Sequence, residues 1–333
     1  MIAAAGLDRL IGDPRWCPHP VVVMGWCIQR LRRLAEAWAG DRPAPLRLAG
    51  LLITLLLVAG SGLAGWGLEQ LTRLQPATTP LLVVALASAL AGRSLEQAVR
   101  QVLQQLPAAE SPGADLEPAR RALAWIVGRD TDQLDRTDIL RAAAETASEN
   151  AVDGLFAPLF WMAVGAACWG ASSLQGPGPL ALAWGFKAAS TLDSMLGYRS
   201  SRLRWLGTAG ARLDDLLVWL PCRLVALGLP PVAGQGPRAW GRHWRLALRD
   251  GAPDPSPNAG LSQAAYAHAA GVQLGGINHY GGQRRTKPLL AAGQPMPTTA
   301  SVERMLELTR RLELLWLLPM AALGMLQALV LRP

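Results

Sequence analysis

The chain is short of charge. Only 17% of its 333 residues are Asp, Glu, Lys or Arg, while 51% are hydrophobic. A soluble protein of this size carries about 25% charged residues, so the deficit excludes an ordinary water-soluble domain and points to lipid. Phe and Tyr are scarce at three each, against 13 Trp. Trp is favoured at membrane interfaces, where its ring is apolar and its N–H stays wet. Lysine occurs only at 187 and 287, and every other basic residue is Arg. The four cysteines (Cys17, Cys27, Cys168, Cys222) show no C-x-x-C spacing, so neither a zinc site nor a disulfide framework is indicated. The first residues lack the basic region of a secretory signal. No stretch alternates apolar and polar residues as a strand would, and there is no internal repeat and no G-x-x-x-x-G-K-[ST] phosphate loop. The net charge of +8 has no basic helix or recognition motif to direct it to nucleic acid. It suits basic cytoplasmic loops and anionic substrates instead.

What is present is a series of apolar runs. Crossing about 30 Å of hydrocarbon takes about 20 helical residues. Runs at 46–68, 74–92, 154–174 and 312–331 read as spans, and 179–196 is apolar although it contains Lys187 and Asp193. Met1 to Ile11 reads as the tail of a further span. The segment 216–233 contains Pro221, Arg223, Pro230 and Pro231, and reads as broken or re-entrant. Seven basic residues fall in 9–47, seven in 93–141, four in 197–213 and ten in 238–311, against one in 69–80 and none in 175–178. The excess assigns loops 93–153 and 234–311 to the cytoplasm. The expected fold is therefore all-α: a polytopic α-helical integral membrane protein with helical cytoplasmic loops, 1–333 forming a single membrane-embedded domain.

Several polar segments border these runs. In Gly12 to Pro20, three prolines stiffen a turn that could hold Asp13 and His19. In Glu145 to Gly154, the carboxylates of Glu145, Glu149 and Asp153 fall within about 80° on a helix, beside Ser148 and Asn150. Three carboxylates at a membrane edge suit Mg²⁺, which prefers oxygen ligands. Lys187 shares a face with Thr191 and Ser194, in a segment running to Tyr198. A charge at mid-membrane costs about 2.5–3.5 kcal/mol on insertion scales, which makes Lys187 and Asp193 candidates for function. Arg212, Asp215, Trp219 and Arg223 share a stripe from which Asp214 points away. Asp193 is expected to pair with Arg212 or Arg223. In the last loop, Arg249 and Ser256 precede Asn258, a good N-cap for a helix over about 259–274, and Gln273 and Asn278 flank paired glycines.

In order along the chain, these segments resemble the adenosylcobinamide-phosphate synthase family of cobalamin biosynthesis (the CobD/CbiB proteins). The matching runs are Leu7 to Arg15 with His19-Pro20, Glu145 to Phe160, Lys187 to Tyr198, Ala211 to Asp215, and Pro255 to Gly260 continuing to Gly271–Gly276. Where the family tends to have Pro and Tyr, this chain has Ile277 and His279. The resemblance implies a bacterial inner-membrane ligase with its site facing the cytoplasm. It would join the carboxylate of (adenosyl)cobyric acid to the amine of aminopropanol or its O-phosphate, with ATP and Mg²⁺. Lys187, Asp193, Arg212 and Asp215 would be catalytic. Asp13, His19, Ser148, Asn150, Thr191, Ser194, Tyr198, Arg249, Ser256, Asn258, Gln273 and Asn278 would bind substrate, and Glu145, Glu149 and Asp153 would hold the metal. Neighbouring pathway enzymes are further expected partners, and nucleic acid is not. The competing readings are a non-catalytic regulatory or sensor protein on the same scaffold, and a transporter.

Overall fold

The computed structural model describes residues 1–13, 19–107, 115–171, 176–198 and 201–330. In chain order the helices are α1 (Ile2–Ile11), α2 (Pro20–Ala39), α3 (Pro43–Leu74), α4 (Thr79–Ala87), α5 (Gly92–Gln104), α6 (Glu117–Ala124) and α7 (Arg136–Ala151). A π turn at Val152–Phe156 leads into α8 (Ala157–Ala171), followed by α9 (Pro179–Leu196), α10 (Leu203–Leu206), α11 (Thr208–Val232), α12 (Pro237–Gly251) and α13 (Ala259–Ala270). Strands β1 (Leu274–Tyr280) and β2 (Gln283–Leu290) precede α14 (Thr299–Val330). Among the described residues the fold is all-α apart from that one hairpin.

Among the described residues, four helical runs are long and apolar enough to cross a membrane: Pro43–Leu74, Pro76–Gln104, Arg136–Cys168 and Thr208–Val232. The first three contain the runs 46–68 and 74–92 and most of 154–174, whose last residues lie outside the described chain. The fourth corrects the sequence reading, because 216–233 is not broken. Pro221 lies within a continuous α11, with Pro230 and Pro231 in its last turn. A proline removes only one backbone donor and bends a helix, which an apolar surrounding tolerates. The helix over 179–196 forms as α9 but is not one of the four, since Lys187 and Asp193 lower its hydropathy.

Contacts group the chain into two compact units, where the sequence suggested one body: Met1–Ala91 with Asp153–Val218 and Leu317–Pro333, and Gly92–Val152 with Trp219–Trp316.

In the first unit α9 lies antiparallel along α3. At one end Glu69, 1% exposed, accepts hydrogen bonds from the N–H groups of Gly178 (2.9 Å), Leu180 (2.5 Å) and Ala181 (3.4 Å). A carboxylate there satisfies donors that every helix start leaves open and complements its dipole. Gly65 permits the approach, because a Cβ there would stand 2.9 Å from the Ala181 backbone. At the other end Arg47 and Arg204 stack on Trp205 at 4.3 and 4.6 Å, and Arg202 pairs with Asp41 at 2.5 Å. The basic segments 30–47 and 201–205 therefore share one end of the unit.

In the second unit α12 packs on α13, and α7 packs on α5, α13 and β1. The β hairpin corrects the expectation of no strand. Gly281 and Gly282, with φ of 57° and 75°, form its two-residue turn, and the carboxylate of Asp130 accepts both their N–H groups at 2.9 and 2.7 Å. Positive φ at both central positions is what such a turn requires. Those two bonds hold the Asp130 carboxyl below its ordinary range. The hairpin also shortens the preceding helix, which ends at Gly271 in a left-handed cap and not near 274.

Candidate active site

Lys187 lies midway along α9. Within electrostatic range of its ammonium are Asp153, Asp13 and Asp214, which come from the π turn, the segment after α1, and α11. All four belong to the first unit. Asp13 is paired with His19, whose Nε2 lies 3.2 Å from Oδ1. His19 Nδ1 accepts the N–H of Val21 at 3.3 Å and so caps α2. The acceptor role of Nδ1 puts the ring proton on Nε2, which donates to Asp13. Asp13 and His19 are therefore in contact; residues 14–18 between them lie outside the described residues.

The stripe on α11 is rotated from expectation. Asp214 is buried at 9% exposure, Asp215 is half-buried and Arg212 is exposed. Asp214, which points away from that stripe, is thus the buried one of the two aspartates and lies within electrostatic range of Lys187. Thr191 and Ser194 spend their hydroxyl hydrogens on the backbone, Thr191 on Lys187 O (2.6 Å) and Ser194 on Thr191 O (3.0 Å), a common habit of hydroxyls inside helices. Asp193 lies in the last turn of α9 and accepts the Gly197 N–H on its backbone oxygen at 2.7 Å. Arg223, named as a partner for it, is engaged in the second unit: it bonds Trp219 O (2.7 Å) and Asn258 Oδ1 (3.1 Å) and stacks on Trp219. Tyr198 is exposed.

The acidic stripe on α7 has another purpose than the one its spacing suggested. Glu145, fully buried, lies 2.5 Å from Arg129 Nη2 and 3.3 Å from Arg141 Nη1, and accepts the Gly275 N–H at 2.8 Å. Arg141 also donates to Gly275 O (2.9 Å), Ile277 O (2.9 Å) and Asp138 (2.8 Å). Asn278 Oδ1 accepts from both Arg129 (2.9 Å) and Arg141 (3.0 Å). Two guanidiniums and an amide N–H occupy the carboxylate, so Glu145 is not available as a metal ligand. Its network fastens β1 to α7. Glu149 accepts from Gln263 Nε2 at 2.8 Å, and Asp153 belongs to the other unit. Among the described residues no three His, Cys, Asp or Glu side chains are close enough to share a metal, so this set does not fit Mg²⁺.

Ser148 bonds its own helix at Glu145 O (2.8 Å), and Asn150 bonds Thr146 (2.9 Å). Asn258 does not cap α13 with its side chain; Ser256 Oγ accepts the Ala259 N–H at 3.3 Å in its place. Arg249 is paired with Asp250 at 2.8 Å.

Two features of the second unit escaped sequence reasoning. Lys287, on β2, lies 3.4 Å from Asp254. Burial works against its charge, and the carboxylates of Glu149, Asp254 and Glu145 outweigh that, raising its pKa. A cavity of about 740 Å³ opens beside the hairpin, lined by Asp130, Asp132, Asp138, Arg141, Gln273, Gly275, Gly276 and Met296 among others. Of the predicted substrate-binding residues Gln273 lies on it, held by Gly293 N–H at 3.0 Å, and Asn278 lies in the network that also holds Arg141. With three aspartates and one already neutralised arginine, the cavity favours a ligand rich in hydrogen-bond donors over a polyanion.

The profile of the CobD/Cbib protein family matches residues 1–309. The cobalamin biosynthesis protein CobD of a Synechocystis species is 40% identical over 309 residues, covering 92% of this chain and 86% of that protein. CobD of Geobacter metallireducens is 40% identical over 301 residues, covering 89% and 86%. CbiB of Salmonella typhimurium is 38% identical over 325 residues, covering 97% and 94%. No solved structure matches. Matched from its first residue through the Lys187 cluster to the hairpin and the start of α14, the chain belongs to the CobD/CbiB family of cobalamin biosynthesis proteins.

Proposed function

We propose that the chain is an amide-forming ligase, joining a carboxylate of (adenosyl)cobyric acid to the amine of aminopropanol or its O-phosphate, with ATP as co-substrate. The observation that carries this reading is that Asp13, Asp153 and Asp214, from three separated segments, lie within electrostatic range of Lys187, half-buried midway along the largely apolar α9. A scaffold without chemistry has little use for four charges in an apolar unit, each costly to insert.

A carboxylate is a poor electrophile. Transfer of the ATP γ-phosphoryl group to a carboxylate oxygen gives an acyl phosphate and ADP. The amine then attacks the carbonyl carbon, the amide C–N bond forms, and inorganic phosphate leaves with the C–O bond pair. The compact ammonium of Lys187 suits the negative charge that develops on the carbonyl oxygen. Asp13, oriented by His19, is the group suited to take the proton the amine must lose. Mg²⁺ enters as the magnesium complex of the nucleotide, and no protein ligand is assigned to it. The reaction belongs on the cytoplasmic side of the inner membrane, where the nucleotide is.

The test is to incubate purified protein in detergent with cobyric acid, MgATP and either amine, then follow the corrinoid amide by mass spectrometry and ADP alongside it. Amide and ADP in equal amounts are expected. No amide from either amine in a folded sample would leave the regulatory reading standing.

A further inference from the structure

The sequence reading found no basic helix, yet α12 is one. At 100° per residue, Arg238, Arg242, Arg245 and Arg249 fall within about 60° of one another, a stripe about 16 Å long at 1.5 Å per residue. All four are exposed, and no acidic residue occurs on the helix before Asp250. Directly opposite, His243, Ala247 and Gly251 are buried, the face by which α12 packs on α13. Gly251 and Gly260 touch there backbone to backbone, since a Cβ on Gly251 would stand 2.6 Å from Gly260. The packed face fixes the rotation of the helix, and the arginine stripe is left outward.

The position of α12 says what the stripe meets. Only four residues separate its first residue from the end of α11, which is apolar enough to cross a membrane. Four residues and their flanking bonds reach at most about 18 Å, so α12 starts at the bilayer surface. Leu248, 37% exposed, flanks the stripe and gives the helix an apolar group suited to the headgroup boundary.

We propose that α12 is an interfacial helix whose Arg238, Arg242 and Arg245 bind the phosphates of anionic phospholipids in the bilayer that holds α11. Arg249, already paired with Asp250, contributes less. Guanidinium forks match phosphate oxygens in pairs, and a basic segment next to a span meets the negative potential of an anionic leaflet. The stripe anchors the second unit, which otherwise presents a polar cavity and hairpin, at a fixed height on the membrane.

The experiment is native mass spectrometry of the full chain released from detergent with phosphatidylglycerol or phosphatidylcholine. It compares wild type, the triple variant R238Q/R242Q/R245Q, and a control of equal charge change on other exposed arginines, R121Q/R284Q/R310Q. The α12 variant should retain at least threefold less phosphatidylglycerol than wild type, with the control within twofold of wild type and phosphatidylcholine unchanged throughout. Equal retention by the α12 variant and wild type overturns the proposal, as does an equal loss in the control. Lipid retention unchanged but weakened binding of pyrophosphate or RNA in the α12 variant would assign the stripe to a soluble polyanion and equally overturn it.

Discussion

Arg129 Nη2 stands 2.5 Å from Glu145 Oε2, with only 7% and 1% of the two side chains exposed. Removing one partner of such a buried pair strands the other charge, at a cost of about 3–5 kcal/mol. Glu145→Gln is therefore expected to lower the unfolding temperature in detergent markedly, and excess Mg²⁺ should not restore it. An unchanged melting curve with activity recovered by Mg²⁺ would reinstate Glu145 as a metal ligand.

Lys187→Met removes the cation that Asp13, Asp153 and Asp214 share, so its turnover is measured on the membrane-inserted, monodisperse fraction and compared with that of the charge-keeping Lys187→Arg. Under the proposed chemistry Lys187→Met loses the cation facing the reacting carbonyl, and turnover should fall by about 100-fold or more. Lys187→Arg keeps the charge but not the compact shape, so it should be impaired too, and Asp214→Asn more so than Asp215→Asn. Near-normal turnover by a well-inserted Lys187→Met would sink the site.

His243 is buried, and that burial, with repulsion from His268, pulls its pKa from 6.5 to about 4 against the opposing bond to Ala265 O. Between those values the unfolded chain binds a proton that the folded chain refuses. The neutral imidazole's contribution is thus complete above pH 6.5 and is lost as the pH falls through about 4, a loss on the order of a few kcal/mol. Thermal unfolding of wild type at pH 7.5 and pH 5 should differ more than that of His243→Gln. Parallel curves for the two proteins would remove His243 from the pH response.

The antiparallel run of α9 along α3 puts the nearly uncharged end near Gly178 opposite the arginine-rich end at Trp205. With the basic end inside, an impermeant thiol reagent applied to intact cells should label a cysteine at Gly176 but not at Asp41 or Gly293, each in a cysteine-free background. Labelling at Asp41 or Gly293 in sealed cells inverts the orientation.

Long apolar runs were the most legible part of the sequence, because a span is a local property of about 20 residues. The charged motifs were found as segments but not always as residues. The motif Ala211 to Asp215 stands out, yet the stripe shared by Arg212, Asp215, Trp219 and Arg223 favours Asp215 over Asp214, because helical phase groups residues on a face without saying which face is buried. Glu145 and Glu149 were read as an acidic face; Arg141, one turn earlier, was visible as a counter-charge, whereas Arg129 arrives from a turn that no periodicity reveals. The hairpin was missed because β1 is rich in glycine and β2 reads Gln-Arg-Arg-Thr-Lys-Pro, with neither showing alternation. Its one signal is the Gly281-Gly282 pair, which suits a two-residue hairpin turn. Lys287 was hidden with it.

Glu69 carries a consequence for how the chain is made. It leaves the ribosome as part of α3, whereas the first N–H it caps, that of Gly178, follows 109 residues later. At about 5–20 residues per second the carboxylate waits on the order of 5–20 s for its partner. Throughout that interval α3 must sit in the bilayer with an unsatisfied acid near its end, and α9 is the segment that relieves it. The α3–α9 pair is thus a late joint in biogenesis.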